Sequence, residues 1–132
     1  PIESVKKEMK KLSSKADIFI LLTHQGFDLD QKLAKKIDGL DLIIGSHSQT
    51  KIESPKEVND ALIVQAGKAG YYVGVVEIKT NRGRVVKKSG KIDTMKFNMP
   101  EDPRVMKMIE EYESKTGRIN MRKKKLKEKG NG

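Results

Sequence analysis

Ile2, Val5, Met9 and Leu12 recur at the spacing of one helical face, with lysines between them, and predict an amphipathic helix over residues 1–14. The pattern then changes. Asp17–Thr23 is apolar and continuous after its first residue, which predicts a strand buried on both faces. Leu29, Leu33 and Ile37 return to helical spacing, so a helix is expected from about Asp30 to Ile37, with Asp28 or Asp30 placed to cap its start and Gly39 to end it. Asp41–Gly45 predicts a second buried strand. Strand, short helix, strand is the order of a βαβ crossover, so the two strands are expected to be parallel neighbours.

From Leu62 to about Lys96 the pattern predicts an antiparallel β meander, with strands at Leu62–Gln65, Tyr71–Lys79 and Arg84–Asp93. Asn81-Arg82-Gly83 supplies hairpin turn chemistry between the last two, and Gly67 and Gly70 bracket a tight connection. Asp102-Pro103 reads as cap and first residue of a final helix, with Val105, Met108, Ile109 and Tyr112 as its stripe and Gly117 as its stop. The expected fold class is therefore α/β: a βαβ unit, an antiparallel meander and a C-terminal helix. Three segments follow: residues 1–100, which hold the βαβ unit and the meander, the final helix over 101–117, and a basic tail over 118–132 that is expected to be disordered.

Composition narrows this picture in a few places. The chain has 132 residues, enough for at most one ordinary domain, and no Cys, which excludes disulfides and thiolate metal sites. The longest apolar runs, such as Ile18–Leu22, are too short to span a bilayer, and the Pro-Ile-Glu start has no apolar signal core. A leader removed earlier would leave the same picture. The net charge of +10 belongs mostly to the tail: eight of the 28 Lys and Arg, but one of the 18 acids, lie from Lys115 onward. The body is nearly balanced, so the high pI describes the tail rather than the fold.

Chemistry is sparse and concentrated. Both histidines, His24 and His47, follow a predicted buried strand. If those strands are parallel, both loops emerge at the carboxyl edge of the sheet, where ligands bind in open α/β folds. The two imidazoles then converge on a shared ligand; the alternative is that each is an ordinary polar loop residue. Gln49 lies two residues past His47, and in an extended segment would face the same way. Imidazole nitrogen suits Zn, Mn, Fe or Co, and an amide oxygen suits the harder ions. Asp28 and Asp30 are either outer partners that orient a ring N–H or caps of the helix. Ser46, Ser48 and Thr50 are nucleophiles on paper, but no base–orienter pair accompanies them.

Three stretches carry a resemblance. Ala16-Asp17-Ile18-Phe19-Ile20-Leu21-Leu22-Thr23-His24-Gln25-Gly26, then Leu33-Ala34, then Gly39-Leu40-Asp41-Leu42-Ile43-Ile44-Gly45-Ser46-His47-Ser48-Gln49-Thr50 resemble the calcineurin-like metallophosphoesterases, in the branch of 5′-nucleotidases and cyclic phosphodiesterases. Val64-Gln65-Ala66-Gly67 and Gly70-Tyr71-Tyr72-Val73-Gly74 resemble the strand pair that follows in that branch, so the likeness covers roughly residues 1–96. Ser46 departs from the Gly usual at its position.

The resemblance implies the C-terminal half of a four-layer αββα domain holding two divalent ions (Zn, Mn, Fe, Co or Mg). His24 and His47 would ligate one ion and Gln49 the other. It also implies an exported protein acting on a nucleotide or other phosphoester. The family's Asp-x-His motif, bridging Asp and Asn-His pair are absent from this sequence, so no catalytic residue is assigned within it. The chain alone is expected to be inactive, to need the missing first half in cis or from another chain, and to self-associate through uncovered apolar strand faces. The competing expectation is a non-enzymatic module whose Arg122–Lys129 cluster binds nucleic acid or an anionic surface.

Overall fold

The computed structural model describes residues 2–96 and 98–117. Residues 2–96 form one compact unit and residues 98–117 belong to a second. In the first, helix α1 (Ile2–Leu12) precedes strand β1 (Ile20–Leu22), helix α2 (Phe27–Ala34) and strand β2 (Leu42–Ile44). Strands β3 (Lys56–Val58), β4 (Ala61–Val64), β5 (Tyr72–Asn81) and β6 (Arg84–Thr94) follow, and the second unit holds helix α3 (Pro103–Thr116). Among the described residues no helix is long and apolar enough to cross a membrane.

Four strands form a sheet in the order β1-β2-β4-β3. β1 and β2 pair in parallel, Ile20 opposite Leu42 and Leu22 opposite Ile44, as the βαβ reading requires. β4 also runs parallel to β2, and only β3 is antiparallel. This corrects the expected meander: its first strand belongs to the parallel sheet. The reason is visible in Ala61, Leu62 and Ile63, all buried, the signature of a strand covered on both faces. β3 was not foreseen, because an edge strand of Lys-Glu-Val has no apolar alternation to announce it. β5 and β6 form a separate hairpin. It turns at Arg82-Gly83, both at positive φ, which matches the right-handed twist of the flanking strands.

One face of the sheet carries the core. Leu33, Ala34 and Ile37 pack with Leu40, Ile43, Ala61 and Ile63, and Ile2, Val5 and Met9 of α1 close over them. Each large aliphatic side chain so buried contributes about 1.5–3 kcal/mol. The other face is only partly covered. A groove of about 450 Å³ lies between Ile20, Ile44 and Val64 on the sheet and Val76, Ile78 and Ile92 on the hairpin. Ile20 and Leu22 are exposed, so β1 is covered on one face rather than the expected two.

Helix α2 starts and ends three residues before its expected bounds. Gly26, at φ +95°, breaks the chain, and its carbonyl already accepts from Asp30 N. Neither Asp28 nor Asp30 caps the helix through its side chain. Ile37 lies past the end of α2 yet stays in the core. In α3 the local chemistry holds: Asp102 caps the Arg104 N–H, Pro103 opens the helix, and Gly117 ends it in the left-handed conformation. The tail, with its expected disorder and its Arg122–Lys129 cluster, lies outside the described residues.

Candidate functional site

The register of β1 against β2 decides where the histidines go. Parallel strands in register end at the same edge, and Thr23 N donates to Ile44 O, which carries the pairing one residue past β1. His24 and His47 therefore leave the sheet side by side. Their rings meet edge to face, with centroids 5.1 Å apart, and His47 Nδ1 lies 3.2 Å from His24 Nε2. Both side chains are exposed at the rim.

The loop that carries His47 is tied down on both sides. Gly26 N donates to Ser46 O, and Gly45 N to Val64 O. Phe27 N donates to Ser48 Oγ at 3.2 Å. The Ser48 hydroxyl donates to Gln65 Oε1 at 2.9 Å, and the same oxygen accepts from Thr50 N. Ser48 is thus a structural hydroxyl. Among the described hydrogen bonds none joins Ser46, Ser48 or Thr50 to an imidazole, so no Ser/His pair forms.

Gln49 does not follow the expected geometry. The segment is not extended: His47 and Gln49 both adopt positive φ, 77° and 54°. Spacing by two therefore says nothing about the direction of the Gln49 side chain, which is exposed. Asp28 and Asp30 make no hydrogen bond to either ring. Asp30 is instead fully buried and accepts from Gln25 Nε2 at 2.9 Å. Among the described residues no group of three or more His, Cys, Asp or Glu converges as a metal site.

One site-forming residue escaped the sequence reading. Gln65 is buried at the end of β4 and holds the His47 loop through its carbonyl oxygen. Its signal was a polar residue directly following a buried apolar strand at the same edge as the histidines. Asp30, expected either to orient a ring N–H or to cap the helix, does neither and holds Gln25 beside His24 instead. Beside His47 a shallow cleft of about 330 Å³ opens between Phe27, Asp28 and Leu29 on one side and Ser48 and Thr50 on the other. Further along the chain Lys51 sits over the Tyr72 ring, 4.7 Å from the centroid, and its hydrogen bond to Glu53 raises its pKa above the ordinary lysine value.

The chain has counterparts among known proteins. The chain is 39% identical over 77 residues to the uncharacterized metallophosphoesterase YunD of Bacillus subtilis, covering 58% of this chain and 17% of that protein. It is 28% identical to human 5′-nucleotidase, covering 86% of this chain and 23% of the enzyme. The crystal structure of the 5′-nucleotidase precursor from Thermus thermophilus superposes with a TM-score of 0.76 at 27% identity, over 86% of this chain and 26% of that one. No family model matches the chain. Over most of its length the chain thus resembles metallophosphoesterases and 5′-nucleotidases of the calcineurin-like fold. It spans only about a quarter or less of the length of these relatives.

Proposed function

We propose that this chain supplies the His24–His47 side of a two-metal centre in a phosphoesterase that hydrolyses nucleotides. The observation that carries the reading is the 3.2 Å separation of His47 Nδ1 and His24 Nε2. A tetrahedral ion bound at the usual 2.0–2.1 Å spaces two nitrogen donors about 3.3 Å apart. The pair therefore fits one divalent ion with little movement of either ring. Gln49, on the same loop, would give a second ion an oxygen donor, which favours the harder of Zn, Mn, Fe, Co and Mg. When bound, such a pair of ions polarises a phosphoryl group and makes hydroxide available near neutral pH.

The chain's own part is to hold and orient. Neutral imidazoles add no negative charge, so the field at the rim stays attractive to a phosphate anion. The cleft beside His47 leaves room for the ester. Gln65 and Ser48 fix the loop, so ligand geometry is set before binding rather than during it. Bridging carboxylate and leaving-group acid belong to the first half of the domain, in cis or from another chain. α3 would then be the connector towards a further domain.

Alone, the chain should show no phosphatase activity. Joined to a first half bearing the Asp-x-His and Asn-His motifs, it should hydrolyse a nucleoside monophosphate or a cyclic nucleotide in a metal-dependent way. His47→Ala in that assembly should lower kcat/KM by about 100-fold or more. Absence of metal-dependent hydrolysis, or full activity in the His47→Ala form, would refute the reading.

A further inference from the structure

Asp30 is buried without exposure on α2, where Leu33 and Ala34 already supply the helix's contribution to the core. Its Oδ1 accepts from Gln25 Nε2 at 2.9 Å, and Gln25 directly follows His24. Its Oδ2 is buried with no hydrogen-bond partner. That oxygen lies against the backbone of Gly45, two residues before His47: a Cβ placed at Gly45 would come within 2.3 Å of it. One carboxylate thus touches the segment behind each histidine. A buried acceptor left half unsatisfied weakens a fold relative to an apolar residue of the same shape. Packing gives no reason to keep it, and its position between the two loops does.

We propose that Asp30 is the positioning residue of the imidazole pair: its carboxylate joins the His24 loop, through Gln25, to the end of β2 at Gly45, and so sets the spacing of the two rings. Only glycine at 45 lets the carboxylate approach this closely, so Gly45 and Asp30 act as one device. The backbone bond from Gly26 N to Ser46 O spans the same two segments above it, and together they leave the rings little freedom to part.

The chain has just two histidines, so ring resonances in long-range ¹H–¹⁵N spectra belong to this site alone. In metal-free solution Asp30→Ala and Gln25→Leu should each move both ring systems towards the pattern of free, tautomerically averaged imidazole. Asp30→Asn keeps an acceptor for Gln25 and the same bulk beside Gly45, and should retain the parent pattern. Leu33→Ala, on the same helix but in the apolar core, should weaken the fold without moving the rings. Should Asp30→Ala fail to fold, Gln25→Leu, in a half-buried loop, carries the test. Unchanged rings in Gln25→Leu, equal displacement in Leu33→Ala, or an Asp30→Asn spectrum as altered as that of Asp30→Ala would each overturn the proposal. Its bearing on catalysis rests on the metal-centre reading, but the measurement uses no metal and fails independently of it.

Discussion

At His47 and Gln49 the backbone is left-handed, at φ 77° and 54°. Non-glycine residues occupy this region at a cost of roughly 1–2 kcal/mol each, and such costs gather at functional loops. Gln49 is exposed and makes no described contact that offsets the cost. Gln49→Gly should therefore raise the melting temperature of the chain by about 2–6 °C, read by thermal circular dichroism. On the proposed metal-centre reading the same change should weaken metal binding, since it removes the amide oxygen. A melting temperature that stays level or falls would mean that the Gln49 side chain stabilises the loop. The convergence of His24 and His47 was legible because it needs only that two strands be parallel and in register. The direction of Gln49 was not, since alternation holds in extended chain and this loop is bent. The role of Asp30 stayed open for a related reason: an Asp at a helix start fits a cap as well as a partner of the histidine site, and only the tertiary fold shows it turned inward onto Gly45.

At the scale of elements, local signals held where nothing competed with them. Asp102, Pro103 and Gly117 bound α3 as the sequence indicates. The Arg104 hydrogen bond and the helix N–H groups hold the Asp102 carboxyl below its ordinary 3.8. A depressed carboxylate contributes stability that is present above the unfolded-state value and is lost as pH falls through the folded one. Helical content of α3 should thus be constant from neutral pH down to the ordinary carboxylate range and fall below it. Asp102→Ala should remove that acid step. Helical ¹³Cα shifts over 103–108 would report both. β2 is held differently: its centre, Ile43, is fully buried between α2 and the neighbouring strands. Ile43→Ala should cost about 2–5 kcal/mol in denaturant unfolding. It should also loosen both histidine loops, because they are extensions of β1 and β2. β4 shows the opposite case. Its apolar run fits equally a meander strand and a central parallel strand, and only pairing with β2 decided between them.

For the molecule as a whole, the uneven covering of the sheet is the main fact. α1 and α2 close one face, while Ile20, Leu22 and Ile44 stay open on the other, Leu22 at 74%. A contiguous apolar patch of this kind drives association in water. The chain by itself should self-associate, and Leu22→Lys with Ile44→Lys should shift it towards monomer in light scattering. A parent chain that is monomeric at the same concentration would contradict this. Apolar periodicity and turn chemistry in the sequence determined that this is an α/β chain, that β1, α2 and β2 form a crossover, and that both imidazoles leave the sheet at one edge. These rest on interactions between residues near in sequence, where spacing alone fixes the geometry. The tertiary structure alone decided the placement of β4 in the parallel sheet, the inward turn of Asp30, the hold of Gln65 on the His47 loop, and the open apolar face. Each depends on which distant segment arrives alongside, and the free energy of that meeting is written in no single stretch of the chain.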